Sequence, residues 1–126
     1  MKLGTMLDKR FNEVLNKLFT EPVPLRTAFK IKGIIKLVGD EAVKYEEVRK
    51  SALNRLGLKN EDGTLKVDDN GNAQFADDNL QEFVKELNDL TSLEVEVAKI
   101  KLSEFGDKIS LSALDLVILD SLIEEV

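Results

Sequence analysis

The feature that most constrains the fold is a run of apolar residues at alternating three- and four-residue steps between Pro24 and Gly57. Such steps keep side chains on one face of an α-helix, and a glycine is a common residue after a helix end. The run therefore predicts one helix from Pro24 to about Leu56. Its members are Ala28, Ile31, Ile35, Val38, Ala42, Tyr45, Ala52 and Leu56, with Arg49 filling one step.

This helix is longer than a compact small domain requires. At a rise of about 1.5 Å per residue it would span about 45–50 Å. Gly33 and Gly39 weaken it, because glycine costs roughly 1 kcal/mol relative to alanine inside a helix. Three outcomes are open: the helix projects from the domain, breaks near Gly39-Asp40, or pairs with another chain.

Shorter patterns before and after the long helix predict further elements. Apolar residues at helical spacing indicate a first helix over Leu3–Phe19. Asn70-Gly71 is a strong hairpin signal between two alternating segments, Thr64–Val67 and Asn72–Phe75. Leu93–Val97 alternates cleanly and is the candidate third strand, which can extend to Ile100 and Leu102.

Two further helices are expected in the second half. One covers about Asp78–Leu90, capped by Asp77 or Asp78. The other covers Ser112–Glu125 and opens on a capping box in which Asp115 takes the usual place of glutamate. The last helix is apolar over much of its circumference, which is typical of a helix buried in the domain or against a partner.

Together these elements predict an α+β fold. A long helical hairpin packs with a small antiparallel β-hairpin or three-stranded sheet and two further helices. The length of 126 residues fits a single domain, with a helical hairpin subregion at 1–58 and a mixed subregion at 59–126.

The residue types that carry most protein chemistry are missing. The chain has no cysteine and no histidine, which excludes thiolate metal sites, Cys–His dyads and the Ser-His-Asp triad. The Asp68–Gly71 loop does not match the EF-hand template, because Lys66 falls on the first ligand position. Paired carboxylates are frequent, but their sequence context does not predict burial. We therefore expect no enzyme activity, no cofactor and no metal.

Charge is divided between the two halves. Residues 1–59 hold 13 Lys or Arg against 7 Asp or Glu, whereas residues 60–126 hold 5 against 17. The basic first half keeps a nucleic-acid partner open, but no aromatic residue alternates with its cations and the chain is acidic overall, so none is predicted. The longest apolar stretch, Leu116–Leu119, is too short to cross a membrane, and no membrane partner is predicted.

The order of the patterns resembles a known family. The similarity covers roughly Leu15–Ile123 and rests on the segments Glu21–Pro24, Tyr45–Arg49, Leu58–Gly63, the Asp-Asn-Gly hairpin with Phe75, Glu86-Leu87 and Val95–Glu104. These resemble a family of small uncharacterised proteins encoded by tailed bacteriophages, a domain of unknown function. The resemblance implies a phage gene product that acts in the virion or in the host cytoplasm. The family has no assigned activity, so it implies no site residue.

The sequence thus favours a non-enzymatic protein–protein interaction or assembly protein. Leu25–Leu56 and Leu114–Ile123 carry more apolar helix surface than the chain can cover, which predicts a homo-oligomer or a complex with another phage or host protein. The candidate interface residues are Ile31, Ile35, Val38, Tyr45, Leu116, Leu119 and Ile123. The alternative is an acidic binding module that inhibits a host protein or mimics nucleic acid, through Asp77, Asp78, Glu82, Asp89, Glu94 and Glu96.

Overall fold

Asp8 divides the first predicted helix in two in the computed structural model, which describes residues 1–124. Helix α1 covers Leu3–Leu7 and helix α2 covers Lys9–Phe19. The Asp8 backbone is extended, and its carboxylate accepts a hydrogen bond of 3.1 Å from the Phe11 N–H. A side chain that caps an exposed N–H starts a new helix at that point, so the single helix Leu3–Phe19 was wrong in this detail.

The long helix forms as predicted. Helix α3 covers Leu25–Leu56 as one element and contains both Gly33 and Gly39, so it does not break near Gly39-Asp40. Within its first half the buried side chains are Thr27, Ile31, Ile34 and Val38. The buried face is therefore rotated slightly from the predicted one, which contained Ile35 in place of Ile34.

The described chain forms two compact units. Unit 1 contains Met1–Ala42 and the chain from Leu93 onward, and unit 2 contains Val43–Ser92. Helix α3 begins in unit 1 and ends in unit 2. These limits do not coincide with the predicted subregions 1–58 and 59–126, and the assignment of one domain stays a prediction.

Unit 1 has a core made by its helices and its C-terminal segment. The fully buried side chains include Met6 and Phe11 from α1 and α2, Ile31 from α3, and Ile100 and Leu119 from the C-terminal segment. Because the N-terminal and C-terminal segments share this core, unit 1 closes around residues more than 90 positions apart in the sequence.

The sheet differs from the predicted one. Strand β1, Ile100–Lys101, pairs in parallel with strand β2, Ile123–Glu124. The predicted antiparallel sheet is wrong for the described residues, in which antiparallel pairing is limited to isolated bridges. The Leu93–Val97 segment pairs with the N-terminus, where the Leu3 N–H donates to the Leu93 carbonyl at 2.8 Å. Alternation alone did not identify this distant partner.

The predicted last helix is shorter than expected. Helix α5 covers Ala113–Ile118, followed by a 3-10 helix at Asp120–Leu122 and then β2. Its start is confirmed, because the Ser112 hydroxyl accepts from the Asp115 N–H and the Asp115 carboxylate accepts from the Ser112 N–H. The predicted end at Glu125 lies outside the described residues.

Unit 2 is organised around helix α4, Asp77–Thr91. Ala76 holds the cap position and contributes no side-chain bond, so the predicted Asp77 or Asp78 cap is wrong and both residues lie in the first turn. The Phe83 ring of α4 is buried and stacks on Phe75, with centroids 5.0 Å apart. Ala52 and Leu56 complete this small core.

In the loop between α3 and α4, the two predicted hairpin segments are joined by one isolated antiparallel bridge, Val67 to Ala73, and neither forms a strand. Three backbone bonds form a closed cycle: the Leu58 N–H donates to Gln74 at 2.8 Å, Gln74 donates to Lys66 at 3.0 Å, and Lys66 donates to Leu58 at 2.8 Å. The predicted Asn70-Gly71 turn is present, with Gly71 at φ +82° and the Asp68 N–H bonded to the Asn72 carbonyl at 2.9 Å. We call the three bonds the backbone cycle.

Candidate functional site

Within residues 1–124 no three Asp or Glu side chains are close enough together to hold a metal ion. The same part of the chain contains no helix long and apolar enough to span a membrane. A groove of about 640 Å³ is lined by Met1 and residues 94–99, including Glu94 and Glu96. Both carboxylates are exposed, so this groove lacks the burial that sets apart an acid and a base in an active site.

Hydrophobic side chains on α3 lie at the surface. Leu25 is 89% exposed and Phe29 is 79% exposed. They are one turn apart and lie opposite the buried Ile31, Ile34 and Val38 on a helix of 3.6 residues per turn. Gly33 lies one turn after Phe29, and a Cβ atom built there would meet no atom within 4 Å, so the surface beside Phe29 is open.

Cations surround these two side chains. Arg26, Lys32 and Lys36 are all exposed, and none of them forms an ion pair within residues 1–124. No acidic residue occurs between Leu25 and Lys36. We call this surface the basic face; it consists of Leu25, Arg26, Phe29, Lys32 and Lys36.

The opposite side of α3 is fixed to unit 1. The Lys30 ammonium lies 3.0 Å from each carboxylate oxygen of Glu104, in the 3-10 helix Leu102–Phe105. The buried Thr27 hydroxyl donates to the Glu104 carbonyl. The Lys30 hydrogen bond, assisted by the Lys101 N–H, lowers the pKa of the Glu104 carboxyl below its ordinary 4.5. These contacts hold the first turns of α3 with the basic face outward.

Helix α4 of unit 2 has a surface of the opposite charge. Leu80 is 45% exposed and Val84 is 48% exposed, again one turn apart. They line an open groove together with Gln81, Lys85, Asn88 and Asp89. We call the exposed side of this helix the acidic face; it consists of Asp77, Asp78, Leu80, Gln81, Glu82, Val84, Lys85, Asn88 and Asp89.

The acidic face is presented by contacts on the other side of α4. Phe83 packs into the core of unit 2, and Glu86 accepts two hydrogen bonds from the Arg55 guanidinium at 2.6 and 2.7 Å. Four carboxylates and one ammonium give the acidic face a charge of −3, and none of these groups is ion-paired within residues 1–124.

Helix α5 also exposes apolar side chains. Val117 is 71% exposed and Leu114 is 60% exposed, three positions apart. The helix is tied to α2, because the Lys17 ammonium lies 2.9 Å from the Asp115 carboxylate. The Lys17 hydrogen bond, assisted by the Ser112 N–H, lowers the pKa of the Asp115 carboxyl below 3.8. The same hydrogen bond raises the pKa of Lys17 above 10.5.

The predicted interface residues lie mostly in the core of unit 1. Ile31, Val38 and Leu119 are buried there, and Ile35 and Ile123 are partly buried against the same core. Tyr45 is half-buried in unit 2, and Leu116 is 37% exposed. The apolar stripe of a helix does not specify whether its own chain or a partner covers it.

The exposed pair Leu25 and Phe29 was missed because it lies outside the main stripe. The sequence does contain a pattern that could have identified them: two large apolar residues, four positions apart, on the helix face opposite the buried one. The six acidic residues considered for nucleic-acid mimicry are also divided. Four belong to α4 of unit 2, whereas Glu94 and Glu96 belong to unit 1.

Comparison with known proteins adds no relative: no protein-family model, curated protein or solved structure matches this chain. The resemblance to a phage family therefore stays a prediction from the sequence. No residue role is transferred from another protein.

Proposed function

We propose that this protein is a non-enzymatic protein–protein interaction or assembly protein that associates with copies of itself. One observation carries the proposal. Only four large hydrophobic side chains in residues 1–124 are exposed by 60% or more, and all four lie in the two segments selected from the sequence, Leu25–Leu56 and Leu114–Ile123. They are Leu25, Phe29, Leu114 and Val117.

The energetic reason is the transfer of apolar surface out of water. Burying a Leu, Val or Phe side chain stabilises a complex by about 1.5–3 kcal/mol, before the cost of bringing two molecules together. Both pairs are on helices anchored by ion pairs, Lys30–Glu104 for α3 and Lys17–Asp115 for α5. A surface that is already ordered loses little entropy on binding, which favours association.

The test is mass in solution, measured by light scattering and sedimentation velocity from dilute to concentrated protein. We expect the mean mass of the wild type to rise with concentration. The double variants Leu25→Ser/Phe29→Ser and Leu114→Ser/Val117→Ser remove one exposed pair each, and at least one of them shifts the protein towards monomer. Val67→Ser is the matched control, since Val67 is 52% exposed on a loop of unit 2.

A strict monomer at every concentration would contradict self-assembly. It would favour the alternative function, in which the charge of −3 on the acidic face binds a host protein or replaces nucleic acid. Salt separates the two: a complex formed by exposed charges weakens steeply as ionic strength rises, whereas an apolar one does not.

We also propose a phage origin, with action in the virion or the host cytoplasm. Support for this comes from the resemblance carried by segments such as Tyr45–Arg49 and Val95–Glu104. The neighbouring genes test it directly. Capsid, tail or other phage genes beside this one would agree with the proposal, and a chromosomal neighbourhood with no phage genes would contradict it.

A further inference from the structure

We propose that the basic face on α3 of one copy docks on the acidic face on α4 of a second copy. This inference rests on the proposed self-assembly and names its contact. The same chain carries both surfaces, each with a pair of exposed apolar residues one helical turn apart: Leu25 and Phe29 on one, Leu80 and Val84 on the other. A surface that complements each face is therefore present on every other copy of the protein, at the same concentration.

The two faces suit helix-on-helix packing. Residues at i and i+4 form the ridges that fit the grooves of another helix, and two such ridges interdigitate at a crossing angle of about −50°. Leu25 and Phe29 form such a ridge on α3. On α4, Leu80 and Val84 line an open groove that can receive it. The open space at Gly33 lets a neighbouring helix approach α3 closely next to Phe29.

Charge selects the partner. The basic face has three cations and no anion, a charge of +3, against −3 on the acidic face. Two basic faces, or two acidic faces, would repel each other, so the apolar pairs meet only in the basic-to-acidic combination. Because each contact joins two different surfaces, the copies at the two ends of a row still have one free basic face and one free acidic face. The assembly therefore grows by adding copies unless it closes into a ring.

An anionic membrane or a nucleic acid could also attract three cations around two apolar side chains. Neither partner explains the acidic face, which has a charge opposite to that of the basic face and the same spacing of apolar residues. The second copy accounts for both surfaces, and the other two occupants become outcomes of the test.

Two charge variants isolate the contact. Lys32→Glu/Lys36→Glu changes the charge of the basic face from +3 to −1, and Glu82→Lys/Asp89→Lys changes the charge of the acidic face from −3 to +1. Each variant alone has two faces of like charge. We expect either substitution pair to weaken self-association by roughly 10- to 100-fold, as expected for reversing a few exposed charge pairs.

Mixing the two variants is the decisive step. In the mixture, the intact basic face of one variant meets the intact acidic face of the other, and the two altered faces are also complementary. An equimolar mixture should therefore regain mass by light scattering, although each variant alone is monomeric at the same concentration. Lys99→Glu/Lys108→Glu, at exposed positions outside both faces, is the matched control and should associate as the wild type does. Circular dichroism checks that every variant is folded.

Wild-type association that neither variant alters, or a mixture that gains no mass, would overturn this contact and leave self-assembly through another surface. A monomeric wild type at all concentrations would overturn both proposals. Phosphatidylglycerol vesicles and a 20-base-pair DNA duplex are the two further probes. Binding of a monomeric wild type to either probe, lost in Lys32→Glu/Lys36→Glu, would assign the basic face to that occupant instead.

Discussion

The Lys30 ammonium lies 3.0 Å from both carboxylate oxygens of Glu104, a residue 74 positions further along the chain. This pair joins the first turns of α3 to the 3-10 helix Leu102–Phe105. It lies on the side of α3 that packs on unit 1 through Ile31 and Ile34, away from the exposed Leu25 and Phe29.

The Glu104 carboxylate makes the stability of unit 1 depend on pH. Its pKa is lowered in the folded state, chiefly by the Lys30 hydrogen bond, so its contribution is present above the ordinary 4.5 and is lost as pH falls through the lowered value. We expect Glu104→Gln to lower the thermal midpoint at pH 7. The difference from the wild type should shrink as the pH falls below that ordinary value and through the lowered one. Thermal unfolding followed by circular dichroism measures it, and a difference unchanged at acidic pH would contradict the ion pair.

The same substitution should destabilise unit 1 strongly at one phenylalanine and hardly at all at another. Phe11 is 1% exposed, so Phe11→Ala should reduce the free energy of unfolding by about 3–5 kcal/mol. Phe29 is 79% exposed, so Phe29→Ala should change it by less than about 0.5 kcal/mol. Urea denaturation at low protein concentration measures both. A large loss in Phe29→Ala would mean that the ring is covered within one chain, contrary to the basic face.

The Ser112 hydroxyl caps α5 by accepting from the Asp115 N–H at 3.0 Å. Replacing such a cap by alanine costs about 1 kcal/mol. We expect Ser112→Ala to reduce the free energy of unfolding by that amount. Ser110→Ala, at an exposed position two residues earlier, is the control and should have little effect. Equal losses in the two variants would indicate that the cap does not stabilise the helix.

Two glycines should give changes of opposite sign when replaced by alanine. Gly33 lies in α3 with open space around it, so Gly33→Ala should stabilise the protein by about 1 kcal/mol. Gly71 has φ +82°, a conformation that costs a residue with a side chain about 1–2 kcal/mol, so Gly71→Ala should destabilise it. Denaturant midpoints measure both changes, and a loss in Gly33→Ala would show that the α3 surface beside Phe29 is occupied.

Some local signals in the sequence predicted local structure correctly, and others, such as the cap of α4, did not. Helix α3 ends at Leu56 before Gly57, and α5 starts with the Ser112–Asp115 capping box, because these signals act within a few residues. Strand pairing was not predicted, since the partner of Ile100 is Ile123 and no nearby residue specifies that choice. The candidate interface segments Leu25–Leu56 and Leu114–Ile123 stay predictions, and the structure places three of their predicted residues, Ile31, Val38 and Leu119, in the unit 1 core. Periodicity marks the apolar stripe of α3, and the chain itself covers that stripe with residues of α2 and the C-terminal segment.

The backbone cycle formed by Leu58, Lys66 and Gln74 also affects how unit 2 meets other chains. Each of the three residues uses its own N–H and C=O on its neighbours in the cycle. An incoming β-strand needs a row of free donors and acceptors along one edge, and the cycle closes that edge at its centre. An approaching strand therefore finds no free backbone N–H at Leu58, Lys66 or Gln74, beside the exposed Val67 of the same loop.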